Sequence, residues 1–268
     1  MSSALLNAVM DHDSPLEGSA SDGEVSGRLE VGGAGLAWRR VKGHGPTLVW
    51  LGGFHSEMSG TKAQALARWA AATGRDFLRF DWFGHGQSDG RFVDGTITRW
   101  RADALAMIDQ LTQGPVVLVG SSMGGWLVCL AAMARPRRVR ALVLVAPAAD
   151  FTEALLKPSL PPEALAALER DGTWTRPSAY DHAGYEIATA LLEDGARWSI
   201  LGGPVPIHAP VRILQGGADP DVPWTHALAL AQAIEGPDVV FTLIRDGDHR
   251  LSRPADIARL AAAVEEVA

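Results

Sequence analysis

Residues 115–134 read PVVLVGSSMGGWLVCLAAMA, and the interpretation of the whole chain starts from them. The run 116–119 is continuously apolar, which is typical of a parallel strand buried on both faces. A tight Gly/Ser turn follows, and residues 123–134 then have the composition of a helix. The turn Gly120-Ser121-Ser122-Met123-Gly124 fits G-x-S-x-G. A strand, a sharp turn and a helix in this order form the context in which that motif presents a nucleophilic serine.

The rest of the chain repeats this alternation of strand-like and helix-like segments. Strand followed by helix, many times over, predicts an α/β fold with a mostly parallel eight-stranded sheet flanked by helices. The predicted strands are 28–31, 36–41, 47–51, 77–80, 115–119, 141–145, 211–215 and 239–244, and the predicted helices between them are 62–72, 100–111, 123–134, 225–234 and 255–267.

Two segments depart from the rhythm. Residues 150–208, between the sixth and seventh predicted strands, contain helical pieces at 162–170 and 187–193 but no strand pattern. An insertion at the carboxyl end of a strand predicts a small helical cap over a site. Residues 1–27 are too polar to bury much surface, so we expect a mobile tail before a single domain at 28–268.

Composition excludes several classes of protein. The 268 residues are 47% hydrophobic and 21% charged, which is ordinary for a globular domain, and no apolar stretch is long enough to span a membrane. A net charge of −7 without a basic block argues against nucleic-acid binding. The single cysteine, Cys129, excludes an intrachain disulfide, and residues 1–27 lack the positive charge of a targeting peptide. We therefore expect a cytoplasmic protein, and the oligomeric state stays open.

The predicted nucleophile is Ser122. A second match to G-x-S-x-G centres on Ser88, but no helix opens after it, so that serine is assigned to a loop. The helix beginning at Met123 directs its N–H groups and positive dipole end toward an oxygen that becomes negative during acyl transfer. We expect the oxyanion donors to be the backbone N–H groups of Met123 and of Phe54, the latter in the glycine-rich loop after the third predicted strand.

The acid and the base are expected in two later loops, because this architecture places them in the chain order serine, acid, histidine. Asp219 and Asp221 both follow the seventh predicted strand; Asp219 comes first and is favoured, with Asp221 as the alternative. His249 is the one histidine after the last predicted strand. The predicted triad is therefore Ser122, Asp219 and His249.

The substrate pocket is expected among aromatic and histidine side chains near these loops and in the cap. No metal site is predicted, since the sequence has no His-x-x-x-His pair and no cysteine cluster. No dinucleotide cofactor is predicted either, because the glycines at 84 and 86 lack the third glycine of that fingerprint. The candidate substrate-binding residues are His55, Trp82, Trp126, Trp174 and Trp224.

Several motifs resemble one family. The stretches GF at 53–54, MSGTKA at 58–63, GSSMGGWL at 120–127, VPW at 222–224 and DHR at 248–250 are similar to the α/β-hydrolase branch of the mitochondrial palmitoyl-protein thioesterase, also called mycophenolic acid acyl-glucuronide esterase. The similarity runs from about residue 45 to the C-terminus, including Trp174-x-x-Pro177-Ser178-x-Tyr180 in the cap.

That resemblance implies the α/β-hydrolase fold and a Ser-His-Asp enzyme with no cofactor. The implied substrate is a small-molecule carboxylic ester or thioester, or an acylated protein. Two alternatives stay open: C–C bond hydrolysis or perhydrolysis on the same triad, and a non-catalytic ligand-binding role.

Overall fold

The structure, a computed structural model, describes residues 23–176 and 184–268. Most of the predicted tail and the cap positions Pro177, Ser178 and Tyr180 lie outside the described residues. Eight strands form the central sheet, in the order β1-β2-β4-β3-β5-β6-β9-β10. They are β1 (Glu24–Val31), β2 (Ala34–Val41), β3 (His44–Leu51), β4 (Arg75–Phe80), β5 (Val116–Ser121), β6 (Val139–Val145), β9 (Val211–Gly216) and β10 (Val239–Ile244).

The pairing of these strands confirms the predicted mostly parallel sheet. β1 pairs with β2, and β2 with β4, in antiparallel fashion, whereas β3, β4, β5, β6, β9 and β10 form parallel pairs. In the part of the chain that the structure describes, five helices flank the sheet: α1 (Thr61–Thr73), α2 (Ile97–Leu111), α3 (Met123–Ala134), α6 (Trp224–Ala233) and α7 (Pro254–Val267).

The apolar strands are buried because helices cover both faces of the sheet. On β5, Leu118 belongs to the cluster that α2, α3 and α6 bury, while Val117 and Val119 belong to the cluster that α1 and α7 bury. Successive side chains of a strand point to opposite faces, so a continuously apolar strand needs a helical layer on each side. The apolar run 116–119 therefore correctly predicted a strand that is buried on both faces.

The first strand begins earlier than predicted. β1 starts at Glu24, opposite Val41, and so includes residues 24–27 of the expected tail. The Glu24 carboxylate accepts hydrogen bonds from Arg79 at 3.0 and 2.9 Å, and its side chain is only 1% exposed. β1 is an edge strand, and this ion pair holds its start. Because the sequence of β1 has no continuous apolar run, its start could not be predicted from the pattern.

The cap contains strands as well as helices, which corrects the prediction of a helical insertion. Its elements are a π-helical turn at Thr152–Leu156, α4 (Pro162–Asp171), the antiparallel hairpin of β7 (Thr173–Arg176) and β8 (Tyr185–Ala188), and α5 (Thr189–Ala196). Ile187, predicted to begin a helix, lies in β8 opposite Trp174. Its side chain is buried in the apolar cluster of the cap, and this packing overrides the helical composition around it.

Two buried carboxylates hold the cap in place: one bonds it to α2, and the other joins its two ends. Asp194 on α5 accepts hydrogen bonds from the backbone N–H and the hydroxyl of Thr98 at the start of α2, both at 2.7 Å. Asp150, just after β6, accepts from the Ser199 hydroxyl at 2.5 Å and from the Leu201 N–H at 2.8 Å. Hydrogen bonds to charged groups are among the stronger ones in proteins, so the cap has a defined position over the sheet.

Gly124 provides a test of the close contact between α3 and the end of β3. A Cβ atom at this position would lie 2.0 Å from the Leu51 carbonyl oxygen and 2.5 Å from that of Gly52. We expect Gly124→Ala to lower the free energy of unfolding by about 1–3 kcal/mol or more, because backbone would have to move. Gly202→Ala is the control, since a Cβ there meets nothing within 4 Å. Equal stability of both variants in urea unfolding would contradict this account.

Candidate active site

Ser122 occupies the turn between β5 and α3 in a strained backbone conformation. Its φ and ψ angles are 55° and −121°, a region that non-glycine residues rarely adopt. The backbone is held on both sides: the Ser122 N–H donates to the Val145 carbonyl at 2.9 Å, and the Ser122 carbonyl accepts from Gly125 at 2.9 Å and Ala148 at 3.1 Å. The predicted strand, sharp turn and helix are therefore present, with the serine at the tip of the turn.

The structure brings Ser122, His249 and Asp219 together. His249 Nε2 lies 3.1 Å from Ser122 Oγ, and His249 Nδ1 lies 2.8 Å from Asp219 Oδ2. A carboxylate only accepts hydrogen bonds, so the proton is on Nδ1, and Nε2 is left as the acceptor for the serine hydroxyl. The three residues come from the turn after β5 and from the loops after β9 and β10, as the chain order predicted.

Asp219 is held as an ionised and oriented carboxylate. Its Oδ1 accepts from the backbone N–H groups of Asp221 and Val222, each at 2.9 Å. Burial raises the pKa of the Asp219 carboxyl, but the hydrogen bond and charge of His249 and these backbone donors together bring the pKa below its usual value. Of the two candidate acids, Asp219 is hydrogen-bonded to His249 through its carboxylate, and the backbone N–H of Asp221 donates to Asp219.

The loop after β4 shapes the loop that carries the predicted oxyanion donor Phe54. The His85 ring donates from Nδ1 to the Phe83 carbonyl at 3.1 Å and accepts at Nε2 from the His55 N–H at 3.2 Å. His55, directly after Phe54, has a φ of 57°, so this contact holds an unfavourable backbone angle. Burial lowers the pKa of His85 to about 4, and its ring stays neutral at ordinary pH.

Two further contacts connect the same loops. Asp81 accepts from the Met58 N–H at 2.6 Å, and the Trp82 indole N–H donates to the Gly52 carbonyl at 3.1 Å. Together with His85, they fix both sides of the segment from Gly52 to Met58. The predicted donor Phe54 thus lies in a supported loop rather than in a free surface turn.

A cavity of about 850 Å³ lies over Ser122 and is lined by both apolar and charged side chains. The cap contributes apolar side chains, among them Phe151, Leu155 and Ile187. The wall also carries the charged side chains of Lys62, Arg176 and Arg250. There Lys62 donates a hydrogen bond to the Arg250 carbonyl, and burial lowers the pKa of Lys62 to about 8. Such a cavity suits a substrate with one apolar part and one polar part.

Of the predicted substrate-binding residues, only His55 lines the cavity that the described residues form. Phe54, Met123 and His55 line the cavity. None of the four predicted tryptophans is among the described residues that line the cavity. Trp82 and Trp126 are fully buried in the core, which corrects their assignment as pocket residues. Trp174 packs within the cap hairpin, and Trp224 is 42% exposed at the start of α6.

Several cavity residues were not predicted from the sequence. Phe151, Leu155 and Tyr185 line the cavity, but they lie in the cap, whose path the sequence did not define. Lys62 belongs to a motif that carried the family resemblance, and that was its only signal. Asp219, Asp221 and His249 offer potential metal ligands within 4.8 Å of one another in the described part of the chain. Asp219 and His249 already bond to each other, so this cluster is better explained by the predicted triad.

The buried His85 predicts a specific pH dependence of stability. Its folded-state pKa of about 4 lies below the usual 6.5, so the unfolded chain binds more protons at this residue between those values. Wild type should therefore lose about 3 kcal/mol as the pH falls from 6.5 to 4, relative to His85→Gln. Urea unfolding of both proteins across this range measures the difference. A difference that stays constant with pH would contradict the buried, neutral histidine.

The comparisons with known proteins agree with this architecture. The family profile described as serine aminopeptidase, S33, matches residues 45–184. The chain belongs to this family of the α/β-hydrolase superfamily, which confirms the expected fold. Mitochondrial palmitoyl-protein thioesterase ABHD10 from mouse is 40% identical over 233 residues, which are 87% of this chain and 78% of the mouse protein.

Two solved structures are similar over nearly their whole length. A crystal structure from Agrobacterium vitis S4, assigned as a hydrolase, superposes with a TM-score of 0.86 at 41% identity and covers 91% of this chain and 98% of its own. Mouse alpha/beta hydrolase domain-containing protein 10 gives 0.83 at 38% identity, with coverages of 90% and 97%. This chain is therefore a hydrolase of the esterase and thioesterase kind.

The comparisons do not confirm the expected cytoplasmic location. The curated mouse relative is mitochondrial by name, and the cytoplasmic location of this chain stays a prediction. Among the helices that the structure describes, none combines the length and the apolar character needed to cross a bilayer.

Proposed function

We propose that the chain cleaves carboxylic esters or thioesters through an acyl-enzyme on Ser122, with His249 as base and Asp219 orienting the base. The observation that carries this proposal is the continuous contact from Ser122 Oγ through the His249 ring to Asp219, at 3.1 and 2.8 Å. A serine hydroxyl attacks a carbonyl poorly unless a base takes its proton, and this geometry supplies that base.

In the first step Ser122 Oγ attacks the substrate carbonyl carbon while its proton passes to His249 Nε2. The ionised Asp219 stabilises the resulting imidazolium and keeps its ring in place. The carbonyl oxygen becomes an oxyanion, for which the N–H groups of Phe54 and Met123 are the proposed donors. Collapse of this intermediate breaks the bond to the leaving group, and the alcohol or thiol departs with the proton from Nε2.

In the second step water replaces the leaving group. His249 Nε2 takes a proton from water, the resulting hydroxide equivalent attacks the acyl carbon, and a second oxyanion forms in the same position. When this intermediate collapses, the bond between the acyl carbon and Ser122 Oγ breaks, and Oγ regains its proton from Nε2. The products are a carboxylic acid and the free enzyme.

The cavity favours a long acyl group on the cap side. Phe151, Leu155 and Ile187 offer apolar surface there, and each buried methylene contributes about 0.8 kcal/mol. The mouse relative is named as a palmitoyl-protein thioesterase, which agrees with an acyl group of this kind. We therefore propose fatty acyl esters and thioesters as substrates, carried by a small molecule or by an acylated protein.

The nucleophile is tested by turnover of p-nitrophenyl esters of increasing chain length and of palmitoyl-CoA. We expect Ser122→Ala to lower kcat by up to about 10⁶-fold, because the hydroxyl that forms the acyl-enzyme is gone. Ser59→Ala is the control: Ser59 is exposed and does not line the cavity. A folded Ser122→Ala protein with near-normal turnover would refute the proposal, and inactivity of the wild type toward all esters and thioesters would favour a binding role.

The two acids are separated by the same assay. We expect Asp219→Asn to lower kcat by about 10⁴-fold, since an amide does not fix the required imidazole tautomer. Asp221→Asn should stay within a few-fold of wild type, because this substitution keeps the backbone N–H that donates to Asp219 Oδ1. The reverse order of losses would assign the acid to Asp221.

A further inference from the structure

Gln215 is a polar residue inside an otherwise apolar part of β9, and its side chain reaches the acid of the proposed triad. It is fully buried. Its Nε2 atom lies 3.2 Å from Asp219 Oδ2, 2.9 Å from the Val222 carbonyl oxygen and 3.2 Å from that of Gly216. Asp219 Oδ2 is the same oxygen that accepts the hydrogen bond from His249.

The chemistry of these neighbours fixes the orientation of the Gln215 amide. All three are acceptors, so only the nitrogen end of the amide can face them. The other end, Oε1, is buried and has no hydrogen-bond partner among the described residues. A buried polar atom without a partner costs stability, so replacing this glutamine with an apolar residue would remove that cost. The presence of glutamine at position 215 is explained if its amide N–H serves Asp219 in the proposed triad.

We propose that Gln215 is a positioning residue that acts through Asp219: its amide holds Oδ2 toward His249 and shares the negative charge of that oxygen. This inference rests on the proposed function. The carboxylate of Asp219 then has one donor on Oδ2 besides His249 and two backbone donors on Oδ1. With every approach to the carboxylate occupied, its plane and rotamer are set before the imidazole gains a proton.

A purely structural role would have a different signature. Gln215 also bonds the Val222 carbonyl and so helps close the loop that carries Asp219. If this were its only role, a substitution would lower stability without altering how the active site responds to pH. Charged groups near the pair include Asp221, whose carboxylate lies within 4.8 Å of the Asp219 and His249 atoms, and Asp248 and Arg250, which flank His249 in the chain. Lys62 bonds the Arg250 carbonyl and lines the same cavity. None of these groups changes in the test.

The test replaces Gln215 with methionine, which has a similar shape and no N–H donor, and uses exposed Gln232→Met as control. Gln215→Met should lower kcat about 10- to 100-fold with little change in KM, as expected for the loss of a hydrogen bond to a charged group. The acidic limb of its kcat/KM profile should move to higher pH, because Oδ2 with one donor fewer attracts the imidazolium more strongly. Lower stability with wild-type kcat and an unmoved limb would overturn the proposal.

A second variant covers the case in which Gln215→Met does not fold. A neutral glutamic acid in Gln215→Glu keeps one donor, but its ionised form places a second carboxylate beside Asp219. We expect activity to fall on the alkaline side, with a limb that wild type lacks; a profile identical to wild type would contradict the inference.

The inference is also separable from the proposed function itself. An NMR titration of the His249 ring protons in wild type and Gln215→Met, or Gln215→Glu if the methionine variant does not fold, needs no substrate. A moved midpoint in an enzyme without esterase or thioesterase turnover would leave the positioning role standing and refute the proposed function. An unmoved midpoint in an active enzyme would refute the positioning role and leave the proposed function standing.

Discussion

The backbone of Ser122 adopts a conformation that most residues avoid, and it is possible only because β3, β5 and α3 approach one another without side chains between them. A Cβ atom on Gly120 would lie 2.4 Å from the Gly124 carbonyl oxygen, and one on Gly124 would lie 2.0 Å from that of Leu51. The same close approach puts the first turn of α3 next to the loop after β3. The strained turn, the helix dipole and the expected oxyanion donors therefore have one structural cause.

Around that turn the molecule uses loops at the carboxyl ends of parallel strands, where an open sheet gathers functional groups. The loops after β9 and β10 carry Asp219 and His249, while the loop after β4 contributes support rather than chemistry. A neutral histidine and a buried aspartate in that supporting loop bond backbone N–H groups of the neighbouring loop. The loop that carries the proposed oxyanion donor Phe54 is thus held by side chains that have no proposed part in the reaction.

Much of the sheet, and the meeting of Ser122, Asp219 and His249, was predictable because each depends on local pattern and chain order. Strand-like segments, several of them continuously apolar, located seven of the eight sheet strands to within a few residues, and Asp219 and His249 each follow a strand that could be recognised. The start of β1 was missed because the Glu24–Arg79 ion pair, not an apolar run, fixes it. The cap was missed in detail because contacts distant in sequence decide its conformation, as for Ile187. The indoles of Trp82 and Trp126 show the same limit: an aromatic residue beside a catalytic loop has the same local sequence whether it lines a pocket or fills the core.

In the proposed mechanism, His249 and its surroundings make Ser122 an activated nucleophile. Labelling the purified protein with a fluorophosphonate probe, followed by peptide mass spectrometry, tests this directly, because the probe reacts with a serine only when a base activates its hydroxyl. The expected result is one adduct per chain, on Ser122, that disappears in His249→Gln, while the control His208→Gln, at an exposed histidine, labels normally. An adduct on another serine, such as Ser88, or no adduct on the folded wild type, would contradict it.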